Sequence, residues 1–255
     1  MPITTAVCTA PGKVRPRNED AVGLFPELQT YIVADGMGGG RGGILASTLA
    51  VETIRHALLD TDVQVQTQSR MQVQPSQPLL HAVYRAHTGV KELSHSELGL
   101  SGISTTIAAV AFNLPCETAV ICHVGNTRVY RLRGAVLEQL TEDHTVGQQL
   151  IRAGLLSPQE LLTCRYRHRL TQAVGVGPEV HPSVRIESSQ AEDLFLICSD
   201  GVYRDLVDEE IHDIVWKAGT NLQHACEVLV ELAHARGGQD DCTVVALRYF
   251  PASEC

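Results

Sequence analysis

Aromatic residues are scarce in this chain: Phe, Trp and Tyr make up 4% of 255 residues, with a single Trp. A core with so few large rings must be filled mainly by Val, Leu, Ile and Ala. Excess positive charge is also missing. Twenty Lys and Arg face 29 Asp and Glu, for a net charge of −9. This argues against nonspecific nucleic-acid binding, which needs clustered cations to displace counterions. No apolar run approaches the ~20 residues of a membrane helix. Residues Met1 to Thr5 lack the basic-then-apolar pattern of a signal peptide. The expectation is a cytoplasmic protein with no membrane and no nucleic acid among its partners. None of the eight cysteines forms a C-x-x-C pair, and Cys122, Cys198 and Cys242 sit inside apolar runs. They read as small buried hydrophobes in a reducing compartment rather than as disulfides or a zinc site. A P-loop is absent as well, which argues against nucleotide turnover.

What is present is an ordinary globular balance, 44% hydrophobic and 19% charged. The length is enough to bury a substantial core. Residues 3–10, Ala21–Phe25 and Thr30–Asp35 read as strands. Gly43–Asp60 and Leu79–Ser96 each carry an apolar face near the 3.6-residue period and read as helices. The Gln-rich stretch between them, residues 61–78 with Pro75 and Pro78, reads as a solvated loop. Thr105–Phe112, Glu117–Val124, Arg128–Leu132 and Val136–Leu140 read as an antiparallel meander joined by short turns. Val146–Ala153 and a start at Ser157-Pro158 are helical. Val184–Ile186, Asp193–Cys198 and Thr243–Tyr249 are strands; Asp208–Lys217 and Asn221–Ala235 are helices, the last one ending at Gly237. This order is not the regular β-α alternation of a doubly wound fold. It predicts an α+β protein, with helices on the outer faces of antiparallel sheets.

Asp35 and Asp200 each follow an apolar strand and precede Gly, in Ile-Val-Ala-Asp-Gly and Ile-Cys-Ser-Asp-Gly, while Asp240 and Asp241 immediately precede a strand. Carboxylates at the ends of neighbouring strands converge, and clustered carboxylates repel unless a cation neutralises them. Hard oxygen donors suit Mg²⁺ or Mn²⁺ rather than zinc. Asp-Gly is equally a common turn dipeptide, so on these residues alone the turn and the metal site both stand.

Further motifs follow in fixed order. They are Arg15-x-x-Asn18-Glu19-Asp20, Val33-Ala34-Asp35-Gly36-Met37-Gly38-Gly39, Ser104-Thr105-Thr106, Gly125-Asn126-Thr127-Arg128, Leu140 to Thr145, Leu170 to Gly175, Cys198-Ser199-Asp200-Gly201 and Gly238-Gln239-Asp240-Asp241. The set resembles the metal-dependent protein Ser/Thr phosphatases (the PPM, or type 2C, family), bacterial branch, from about Val14 to Leu247. The resemblance implies a four-layer α-β-β-α sandwich with two central antiparallel sheets flanked by helices. It implies a single phosphatase domain over residues 1–255, with a flap at about Gly147 to Leu170. It also implies hydrolysis of phosphoserine and phosphothreonine in proteins by a metal-activated water at a dinuclear Mg²⁺/Mn²⁺ centre. Asp35 would bridge the metals, with Gly36 offering its carbonyl. Asp200 and Asp240 would complete one shell, Glu19 or Asp20 would support the other, and Arg15 would bind the phosphate. The implied partners are phosphorylated protein substrates of a Ser/Thr kinase, met by a monomer. The alternative is a phosphatase-fold binding protein with weak or no turnover that recognises phosphorylated partners.

Three departures from that pattern matter. Many bacterial relatives have His where this chain has Gly40, and animal members have His where it has Met37. A general acid is therefore missing near the site, and His144 reads as structural. Asn126 replaces an Asp that helps hold a third, weaker metal, and an amide offers an oxygen without charge. Asp241 replaces the family's Asn and reads as a polar contact to neighbouring loops rather than an extra ligand. The basic run Arg165 to Arg169 reads as a solvated face or a docking patch for acidic partners.

Overall fold

The computed structural model describes residues 3–67, 76–96 and 100–250. Among these residues, eleven strands form two antiparallel sheets. In the first, β1 (Ile3–Ala10), β11 (Cys242–Tyr249), β10 (Leu194–Cys198), β7 (Arg128–Arg133) and β8 (Val136–Gln139) lie in that order. The second runs β2 (Asp20–Phe25), β3 (Thr30–Met37), β5 (Ile107–Asn113), β6 (Thr118–Val124) and β9 (Ser183–Ser188), with the short β4 (Ser104–Thr105) paired to β3. Helices α1 (Arg41–Thr67) and α2 (Gln77–Ser96) cover the second sheet. The short α5 (Asp200–Tyr203), α6 (Asp208–Ala218) and α7 (Leu222–Arg236) cover the first. Two small helices, α3 (Val146–Arg152) and α4 (Pro158–Leu161), stand in and beside the stretch that the family resemblance implies as a flap.

Side-chain alternation explains the four layers. Ile32 and Ala34 of β3 face α1 and α2, while Tyr31 and Val33 face the other sheet. On β11, Val244 and Ala246 face α7, and Val245, Leu247 and Tyr249 face inward. Strands buried on both faces read as continuous apolar runs, so period 2 alone does not mark them. Four aromatic residues meet between the sheets. Phe112 lies 6.2 Å from Tyr31, 5.4 Å from Phe195 and 5.9 Å from Tyr249, centroid to centroid.

Local signals set the helix starts. Ser157 and Glu160 form a reciprocal capping box at α4, and the Asn221 side chain accepts the His224 N–H at the start of α7.

Two expectations need correction. The meander is divided: β5 and β6 pair in one sheet, β7 and β8 pair in the other, and β6 and β7 do not pair at all. Gly125, at φ +99°, turns the chain between the sheets, because an L side chain rarely adopts that conformation and its Cβ would meet Thr106 at 2.6 Å. Helix occupies both ends of the stretch expected as a loop over 61–78. Helix α1 continues to Thr67 and α2 begins at Gln77, and residues 68–75 lie outside the described residues. Once nucleated, a helix gains a hydrogen bond with each added residue, and no Gly or Pro interrupts 61–67. Pro78 falls in the first turn of α2, where its missing N–H costs nothing.

Candidate metal centre and active site

The acidic residues meet because four strand ends meet. Asp20 opens β2 and lies directly opposite Asp35 near the end of β3. Asp200 follows β10, and Asp240 and Asp241 precede β11, its neighbour in the other sheet. The two sheets are then tied across this end. Asp20 Oδ2 accepts from Ser199 Oγ at 2.8 Å and Thr243 Oγ1 at 2.6 Å. Asp241 accepts the N–H of Gly12 on Oδ1 and of Glu19 on Oδ2, both at 2.8 Å. The Asp35 carbonyl accepts from Thr105 Oγ1 at 2.8 Å and Thr106 N–H at 2.9 Å, which accounts for the Ser-Thr-Thr motif.

A cleft of about 350 Å³ opens between these ends, lined by Arg15, Asp35, Gly36, Asn126, Asp200 and Asp240 together with Met37, Thr106, His168 and Arg204. Glu19, Asp20 and Asp241 do not line it, and both Glu19 and Asp241 are buried. A larger hollow of about 520 Å³ runs along α2, lined by His87, Lys91 and His95, and contains none of these acids. Some of the glycines after Asp35 make room for Glu19 rather than for an outside ligand. A Cβ on Gly43 would fall 1.8 Å from Glu19 Oε2, one on Gly36 would fall 2.2 Å from the Gly43 carbonyl, and the Gly40 N–H donates to Glu19 Oε1 at 2.6 Å.

The charges do not balance within the protein. Burial raises the Asp35 carboxyl well above the usual range, helped by Asp20, Asp200 and Asp240 and opposed by Arg204. Burial likewise pushes Asp20 up to about 7, against the hydrogen bonds from Thr243 and Ser199. Asp200 is raised by burial and Asp240, against Arg204 and the Asn126 amide. Three buried carboxylate oxygens, Glu19 Oε2, Asp20 Oδ1 and Asp200 Oδ1, have no hydrogen-bond partner. Buried unpaired polar atoms are costly, and a divalent cation is the partner this all-oxygen set fits. No three His, Cys, Asp or Glu side chains among the described residues already stand in a metal-holding arrangement. Guanidinium groups hold Asp240 instead: Arg15 Nη2 lies 2.6 Å from Oδ1 and Arg204 Nη1 2.5 Å from Oδ2.

Two cleft residues escaped the sequence reading. Arg204 lies one helical turn beyond Asp200, a spacing that could have drawn attention to it. His168 was placed in an exposed basic run; its ring lines the cleft, with Nε2 buried and unpartnered. Its pKa is lowered to about 4 by burial and then by Arg204, Arg167 and Arg128. His144 lies outside the cleft lining. It accepts the Gly125 N–H at 3.1 Å and stacks on His123 at 4.5 Å.

Two antiparallel sheets thus lie between helical layers, with a buried carboxylate cluster and an arginine at one end. The chain matches the family model described as protein phosphatase 2C over residues 15–234, and it belongs to that family. It is 32% identical to the serine/threonine phosphatase stp of Listeria welshimeri, over 92% of this chain and 91% of that protein. Its fold is similar to the serine/threonine phosphatase PstP/Ppp of Mycobacterium tuberculosis, with a TM-score of 0.85, 29% identity, and 97% of this chain and 99% of that one covered. A PstP catalytic domain in complex with two manganese ions is similar at TM-score 0.82 and 29% identity, covering 97% and 98% of the two chains. The chain is thus a protein phosphatase of the PPM type. No helix among the described residues is long and apolar enough to cross a membrane.

Proposed function

We infer that this enzyme hydrolyses phosphoserine and phosphothreonine in proteins at a centre of two divalent cations, Mg²⁺ or Mn²⁺. The supporting observation is the meeting of Asp35, Asp200 and Asp240 in one cleft, with unpartnered carboxylate oxygens beneath it and Arg15 at its side. Asp35, the Gly36 carbonyl, Asp200 and Asp240, all residues of the cleft lining, are the proposed donors, and Asp240 would share with a cation the oxygens that Arg15 and Arg204 contact. Glu19 and Asp20 support them from behind. When bound, the cations supply an activated water and positive charge for the phosphoryl oxygens. Arg15 gives the fork that matches two oxygens of a phosphate dianion. Its contact with Asp240 holds the guanidinium beside the cleft before substrate arrives. Thr105 and Thr106 fix the backbone of Asp35, so its carboxylate is presented without a reorganisation cost.

The test is phosphate release from a phosphothreonine peptide by the whole protein with Mn²⁺. Release should stop with chelator and with Asp35→Ala, and nucleotides should be poor substrates. Retention of the peptide without release under saturating Mn²⁺ would instead establish the phosphoprotein-binding role.

A further inference from the structure

The resemblance to the PPM family carries an expectation of a third, weaker metal held in part at the position of Asn126, which the fold sets against Asp200. The residues around Asp200 do not fit it. The Asn126 amide presents Nδ2–H, not its oxygen, to Asp200 Oδ2 at 2.9 Å. The same oxygen lies 3.5 Å from Arg204 Nε, and Arg204 Nη1 reaches Asp240 Oδ2 at 2.5 Å. Every contact on that side of Asp200 therefore comes from a proton donor, and one of them is a cation. Asp200 Oδ1, in contrast, is buried and unpartnered. The two oxygens are thus differentiated: Oδ1 is open to an ion, and Oδ2 is already served.

Asn126 cannot swing away readily. It is buried, and its backbone carbonyl accepts from the Tyr203 hydroxyl. The Tyr203 ring in turn lies under the Arg128 guanidinium at 3.7 Å, and Arg128 is clamped to Asp143 by two bonds of 2.9 and 2.8 Å. A planar guanidinium is always charged and fits between two carboxylates, whereas a metal ion beside it would meet like charge at short range.

We propose that Arg204, seated between Asp200 and Asp240 and backed by the Asn126 amide, is a built-in cation that takes the place of the third metal, so that the centre saturates at two ions. The proposal rests on the dinuclear reading above. Arg204 then supplies the positive charge on that side of the cleft at any metal concentration.

Manganese titration of the whole protein by calorimetry tests this without an activity readout. Two sites are expected for the wild type, with no further uptake into the millimolar range. Arg204→Gln should add a third, weaker site, and Arg204→Gln with Asn126→Asp should tighten that site by about tenfold or more, since an amide donor becomes a charged acceptor. Arg204→Lys keeps the charge and should stay at two. A third ion in the wild type that Arg204→Gln leaves unchanged would overturn the proposal and spare the dinuclear reading. Two ions in every variant, or the loss of an ion in Arg204→Gln, would also overturn it, the latter making Arg204 a residue that positions Asp240. A wild type that binds no manganese would remove both readings. Arg204 is partly exposed, with a third of its side chain open, so melting of Arg204→Gln alone separates a local change from misfolding even if the Asn126 variant does not fold.

Discussion

Asp241→Asn separates a metal ligand from a structural clamp. Both Asp241 oxygens are occupied by backbone donors, Gly12 and Glu19, each at 2.8 Å and each more than 200 residues away in sequence. The carboxylate is 3% exposed. A hydrogen bond to a charged acceptor contributes ~1.5–3 kcal/mol. An Asn retains one neutral acceptor and turns amide hydrogens toward the other N–H, so one bond is lost and the other weakened. The expected loss is about 3 kcal/mol. For a chain of this size that lowers Tm by roughly 6–12 °C. The same clamp holds Glu19 against Gly40, so manganese affinity should fall by about tenfold, in the range of outer-shell changes, while the number of bound ions stays the same. Thermal melting with chelator measures the first effect, and calorimetric titration measures the second. An unchanged Tm combined with the loss of one ion would refute the reasoning and make Asp241 a direct ligand.

Arg15→Lys should lower kcat/KM on a phosphothreonine peptide by about tenfold or more, chiefly through KM, because a point charge replaces a fork; equal rates would remove Arg15 from phosphate binding. The imidazole of His144 has its pKa lowered to about 4 by burial and then by His123 and Arg152, against Asp143. The unfolded chain, with an ordinary His near 6.5, then binds more protons between those values, so this contribution to stability is present above pH 6.5 and is lost as pH falls through about 4. Urea unfolding at several pH values should show that slope, and His144→Gln should flatten it; an unchanged slope would assign the acid sensitivity to other groups. Phe112→Ala removes the ring that joins Tyr31, Phe195 and Tyr249 between the sheets, and should cost ~3–5 kcal/mol by denaturant unfolding; a loss below 1 kcal/mol would mean that the layers are held elsewhere.

The local order of elements was legible because it depends on short-range rules. Apolar runs of strand length, the 3.6-residue stripe of α1 and α2, and the caps at Ser157 and Asn221 act within a few residues. The same rules placed Asp35, Asp200 and Asp240 at strand ends. They did not show that β6 and β7 belong to different sheets, since a short turn looks the same whether the next strand pairs or crosses. Helix α1 runs past its amphipathic stripe because hydrogen bonds along the axis continue it where no Gly or Pro intervenes.

The cleft itself depends on contacts that no window of sequence contains. Asp20 meets Thr243 across 223 residues, and Arg15 meets Asp240 across 225. From the sequence alone, Arg204 belonged to no motif and His168 was one more member of a basic run. Packing gave both a place beside the carboxylates, because the folded sheets bring distant strand ends to one edge, where burial strengthens the field between their charges. The sequence by itself determined which groups could carry metal chemistry. Only the tertiary structure decided that both Asp241 oxygens meet backbone donors from distant loops, and that Arg204 and the Asn126 amide lie against one oxygen of Asp200.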